Sequence, residues 1–126
     1  MKFLTPSSKA ALMYESKRTF KIWDYNVSHK QLLIRSPRTD GETKNIDVVF
    51  WGVEHIALET SFNGLSLRRS TSDSEHSSLV YSVGLGRVVA AGCKVLVNEL
   101  EIFDSSLIYF DRDRATEEYG TVLVQG

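Results

Sequence analysis

The sequence predicts a mainly β protein: a single antiparallel β roll, barrel or sandwich with a short N-terminal helix. Three observations carry this. From Phe20 onward, β-branched and aromatic residues fall in short runs, FKIW, QLLIRS, NIDVVFW, EHIALE, GLSLRR, LVYSVGL, CKVLVNELEIF and SLIYF. The runs are separated by polar or glycine-containing breaks. Eight runs in about 95 residues leave little room for the crossovers of a dozen or more residues that parallel strands require, so neighbours pair antiparallel.

A chain of 126 residues is the size of one domain. At that length it buries about two-thirds of its unfolded surface, so residues 1–126 are read as a single unit. A content of 42% hydrophobic and 25% charged residues fits a folded chain and argues against a disordered one.

Residues 5–18 carry the helix signal, with Thr5 as cap, Pro6 in the first helical position, and Ala10, Ala11, Leu12 and Met13 following. The β domain is expected over 19–110. Between FKIW and QLLIRS, Asp24 and Asn26 are side chains that bond their own backbone and set a turn. The segment Ser36 to Gly41 combines Pro37 with Asp40-Gly41 and reads as a hairpin-like loop. In the next run Ile46, Val48 and Phe50 share one face, and Leu65 and Leu67 share another. Asn63-Gly64 is the strongest two-residue turn signal in the chain. STSDSEHSS, residues 70–78, reads as a mobile loop.

GLGRVVAAG, residues 84–92, resembles the glycine spacing of a dinucleotide-binding turn. Only five residues, Arg87 to Ala91, separate Gly86 from Gly92, too few for the helix that such a turn must open. It is read as a glycine-hinged hairpin or bulge, and no cofactor is expected. In CKVLVNELEIF the apolar face switches near Asn98-Glu99, which predicts a bulge or bend. The charged tail 111–126 ends in TVLVQ, a candidate edge strand open to another chain.

Fifteen basic residues against sixteen acidic ones leave no field of one sign, which argues against a nucleic-acid face. A lone Cys93 rules out an internal disulfide framework and, with polar residues breaking the N-terminal apolar stretch, points to a cytoplasmic location. No apolar run approaches the roughly 20 residues of a membrane span. His29, His55, His76 and Cys93 show no short ligand spacing, so no metal site is expected.

Ser28 and His29, if extended, project to opposite sides, and no nucleophile-elbow motif is present. Asp47, Glu54, Glu59, Glu99 and Glu101 lie on strand-like segments, where any two could face each other as hydrolytic carboxylates do. With Trp23, Tyr25 and Trp51 they define the alternative reading, a small-molecule or hydrolytic pocket inside a β-barrel. The preferred partner- or ligand-binding candidates are Asp24, Tyr25, His29, Trp51 and His55, with no catalytic assignment.

NIDVVFWGVEHIALETSFNGLSL resembles a group of small bacterial β domains that includes immunity proteins of polymorphic toxin systems. The features are an apolar strand ending in an aromatic, a Gly-Val step, a second alternating strand and a Phe-Asn turn, over about residues 46–68, with His29-x-x-Leu32 upstream. The resemblance implies a non-catalytic domain that binds and neutralises a cognate toxin by surface complementarity. The expected partner is therefore a protein, or a second copy through an edge strand, with no nucleic acid and no membrane.

Overall fold

The computed structural model describes residues 10–39, 41, 43–70, 79–100, 107 and 121–126. These form nine strands, β1 (Ala10–Asn26), β2 (Gln31–Ser36), β3 (Asn45–Trp51), β4 (His55–Ala57), β5 (Ser61–Ser70), β6 (Leu79–Val83), β7 (Gly86–Ala90), β8 (Gly92–Asn98) and β9 (Thr121–Gln125). They make one antiparallel sheet in the order β4-β7-β6-β5-β1-β2-β3-β8-β9, with β4 and β9 at its two ends.

The sheet turns a corner. Only Ala91 separates β7 from β8, and Gly52–Glu54 separate β3 from β4. The ladder between these strand pairs continues through the bend, where the Ala91 N–H donates to the Trp51 carbonyl at 2.9 Å and the Glu54 N–H to the Val89 carbonyl at 2.8 Å. Gly52 takes φ +62° at this corner, in the left-handed region that glycine enters without a Cβ penalty. A methyl group there would stand 2.7 Å from the Ala91 Cβ.

Because of the bend, one half of the sheet faces the other. Phe20, Leu32, Ile34, Ile46, Val48, Phe50, Cys93 and Val95 pack against Leu65, Leu67, Tyr81, Val83, Val88 and Ala90 in one core. The Phe50 and Tyr81 rings meet edge to face at 5.4 Å, a favoured aromatic geometry. β2 and β3 are buried along nearly their whole length, so both faces are covered. On the outer face Leu33, Val49 and Leu96 pack with Leu107, flanked by Trp23 and Val122.

The predicted N-terminal helix is not present in the described residues: Ala10 to Arg18 are extended in β1, and residues 5–9 of that segment lie outside them. An isolated helix of this length is marginal in water. Pairing with β5 from Ala10↔Ser70 to Lys21↔Ser61, with Met13 and Tyr14 packed on the core, overrides its propensity. Two irregularities, at Leu12/Tyr14 and Ser16/Thr19, disturb the period of two that would have marked a strand.

Asn63-Gly64 is also not a hairpin turn. Both residues lie inside β5, and Gly64, at φ +82°, sits unpaired where the register jumps from Thr19↔Asn63 to Ser16↔Leu65. The positive φ that suits a tight turn serves a bulge equally well.

GLGRVVAAG forms the β6–β7 hairpin, with Gly84-Leu85 at its tip, and leads through Ala91 into β8. At the expected bend near Asn98-Glu99 the chain leaves the sheet, the Asn98 Oδ1 accepting the Leu100 N–H at 3.2 Å, and the rest of CKVLVNELEIF, from residue 101, lies outside the described residues. β8 ends at Asn98, and the register irregularity is at Val95/Leu96 against β9, so Val122 joins the outer cluster and Val124 the inner one. Val95 and Leu96 both find apolar cover because β8 is buried on both faces. TVLVQ pairs as β9, whereas of SLIYF only Leu107 is described, buried and outside any strand.

Candidate functional site

The β1–β2 turn is built from Asn26 outward. The Asn26 Oδ1 accepts the His29 backbone N–H at 3.1 Å, an Asx-type closure, and Lys30 completes the reversal at φ +53°. Val27, Ser28, His29 and Lys30 are all exposed, Val27 at 76% although it is β-branched and apolar. Tyr25, paired with Leu32, is 40% exposed.

This turn does not stand alone. The Lys30 carbonyl accepts the Val53 N–H at 3.0 Å, which ties the turn to the β3–β4 corner. Trp51 is half-buried at that corner, against Gly92, and His55 is exposed on β4 opposite Val89. The fold therefore brings the segments carrying Tyr25, His29, Trp51 and His55 to one end of the sheet. Asp24 is set apart. It pairs with Leu33, on the face opposite that of Tyr25 and Leu32, because neighbours along a strand alternate, and the bulge at Ile22/Asp24 sets which of the two takes the outer face.

The bulge has a second effect, since it places Trp23 with its ring centroid 5.5 Å from the Arg35 guanidinium carbon. Arg35 is fully buried and pairs bidentately with Asp47 across β2 and β3, at 2.7 Å and 2.9 Å. Asn98 on β8 donates to Asp47 Oδ2 at 2.8 Å; Asn45 donates to Asn98 Oδ1 at 2.8 Å and accepts the Arg38 N–H at 2.7 Å. Sequence reasoning missed this network as a unit. The available signal was a charge inside each of two runs, QLLIRS and NIDVVFW, that are otherwise apolar.

Both Asp47 oxygens are engaged by donors, so this carboxylate meets a guanidinium and an amide rather than a second carboxylate. Glu54, Glu59 and Glu99 are exposed, and Glu101 lies outside the described residues. Nor do the aromatics of the alternative reading line one groove: Trp23 covers Arg35, Trp51 packs on Gly92, and Tyr25 lies by the turn. Burial pushes the Cys93 thiol up to about 12, which leaves it protonated and a poor nucleophile at neutral pH. Among the described residues no group of three His, Cys, Asp or Glu side chains could hold a metal ion, and no helix is long and apolar enough to cross a membrane.

A cleft of about 710 Å³ opens between the β4–β5 connection and the β6–β7 turn, lined by Ala57–Glu59, Ser61–Gly64 and Val83–Gly86. At its rim stands Leu85, fully exposed.

Comparison with protein-family models, with curated proteins and with solved structures finds no match to this chain.

Proposed function

We propose that this domain is a non-catalytic protein-binding module which, in keeping with the resemblance over residues 46–68, occupies and neutralises a toxin domain. The observation that supports it is the bond between Lys30 and Val53, which joins two segments distant in sequence into one surface. That surface holds an exposed valine, a partly exposed tyrosine and two exposed histidines. Exposed apolar and aromatic groups beside polar ones are the composition of interface centres.

The test is capture from the native host by the tagged protein, with Tyr25→Ala/His29→Ala as comparison. A stoichiometric protein captured by the wild type and lost from the variant, with melting temperature unchanged, is the expected result. Capture of no protein by the wild type, or unfolding of the variant, rejects the reading.

A further inference from the structure

The strand β5 has two unlike edges. Toward β1 it is paired from Ser61 to Ser70. Toward β6 only its second half is paired, through Leu67↔Val83, Arg68↔Ser82 and Arg69↔Tyr81, with the Gly84 N–H reaching the Ser66 carbonyl at 3.0 Å. Along the first half, the side away from β1 is the cleft between the β4–β5 connection and the β6–β7 turn.

Backbone phase fixes what that edge presents. The Ile22 N–H donates to the Thr60 carbonyl at 2.9 Å, and the register continues through Lys21↔Ser61, Phe20↔Phe62 and Thr19↔Asn63. In an antiparallel ladder, hydrogen-bonded and non-hydrogen-bonded pairs alternate. Thr60 and Phe62 therefore bond to β1, while Ser61 and Asn63 turn their N–H and C=O groups away from it, toward the cleft. Among the described residues no backbone group pairs with them there.

We infer that this edge takes up an extended segment of a partner protein by strand addition, with a basic side chain of that segment against Glu59. Strand addition draws its affinity from main-chain bonds and its specificity from pockets for alternate side chains. Both are in place here. The cleft volume of about 710 Å³ falls in the usual range of ligand clefts. Of the residues lining it only Glu59 is ionisable, and it is exposed, so a cation is the complementary charge. Leu58, Phe62 and Leu85 supply the apolar surface for a neighbouring side chain. The β6–β7 turn on the far wall flanks the edge and favours a single inserted segment over the flat edge of a second sheet.

This surface is separate from the Tyr25/His29 turn, and its test is separate too. The probe is a short capped peptide that alternates Val and Thr around a central Arg, added to the isotope-labelled protein and followed by NMR. The Ser61 and Asn63 amide protons should shift and gain protection from exchange, and the same peptide methylated on alternate backbone nitrogens should not bind. Ser61→Pro removes an outward donor without touching the ladder to β1 and should weaken binding about tenfold. Should Ser61→Pro fail to fold, Glu59→Lys decides, by reversing the preference from the Arg peptide to its Glu counterpart. Absence of shifts at millimolar peptide, equal binding of the methylated peptide, or shifts confined to Tyr25–Lys30 would overturn the inference.

Discussion

The two faces of the β2-β3-β8 layer are equally buried and are held by different physics. Ile34, Val48 and Val95 point into a core of aliphatic and aromatic side chains, where each contact is weak and non-directional. One residue away along the same strands, Arg35 and Asp47 point to the opposite face, into a network of charged and amide groups with fixed geometry. The inner face tolerates small changes in shape because many contacts share the load. The outer face tolerates the loss of both charges better than the loss of one, because its cost lies in desolvation that only a partner offsets.

The largest effect should come from breaking the outer pair on one side. Asp47→Ala leaves Arg35 buried without its carboxylate and should cost about 3–5 kcal/mol of unfolding free energy, measured by urea titration. A loss below about 1 kcal/mol would mean that water enters the outer face and that the two faces are not equally dry.

Alkaline pH should strain the inner face next. Burial raises the Cys93 thiol from its ordinary 9.0 to about 12 and raises the Tyr81 phenol above its ordinary 10.0. Both groups keep their proton longer when folded than when unfolded. The stability they contribute is therefore complete below about pH 9 and falls as pH climbs toward 12. Lys94, lowered by burial, works in the opposite direction. The urea midpoint should decline above about pH 9, and less so in Cys93→Ala and Tyr81→Phe. An identical slope in all three proteins would move the sensitivity to another group.

Gly64→Ala should cost about 1–3 kcal/mol, since the bulge opposite Ser16/Thr19 requires φ +82°. Replacing the outer pair together, Arg35→Met with Asp47→Leu, should fall within about 1–2 kcal/mol of the wild type, well short of the single change. Equal loss in the single and double variants would overturn the desolvation account. The smallest effect, about 0.5–1.5 kcal/mol, is expected for Ile34→Val on the inner face.

Much of the sheet was legible in the sequence, for local reasons. QLLIRS and NIDVVFW match β2 and β3 residue for residue because they are dense in β-formers and bounded by turn residues. Asn26 closes the β1–β2 turn as its short polar side chain predicts. The errors share a cause. AALMYESKR has helix-forming residues and irregular apolar spacing, and only its pairing with β5 across fifty residues or so makes it a strand. Asn63-Gly64 carries a positive-φ signal that cannot say whether the chain reverses or merely bulges.

The candidate site divides in the same way. His29 and Tyr25 at an exposed turn were readable, as was the solvent-facing position of His55. Their union with the Trp51 corner was not, because it depends on a backbone bond from Val53 to Lys30 that no local pattern encodes. Asp24 went to the face opposite Tyr25 because strand neighbours alternate, and a bulge at Ile22/Asp24 that no local pattern announces set which face each took. Arg35 and Asp47 were visible as charges in apolar runs, but their pairing required the β2–β3 register.

By itself, then, the sequence determined which segments beyond Phe20 are extended, where several turns fall and that neighbouring strands run antiparallel, since those follow from side-chain shape, backbone freedom and connection length. Tertiary structure decided the bend at Gly52 and Ala91, the faces that meet, the partners of buried charges and the edge of β5 left open. Those depend on contacts between residues far apart in the chain, whose register only the assembled sheet sets.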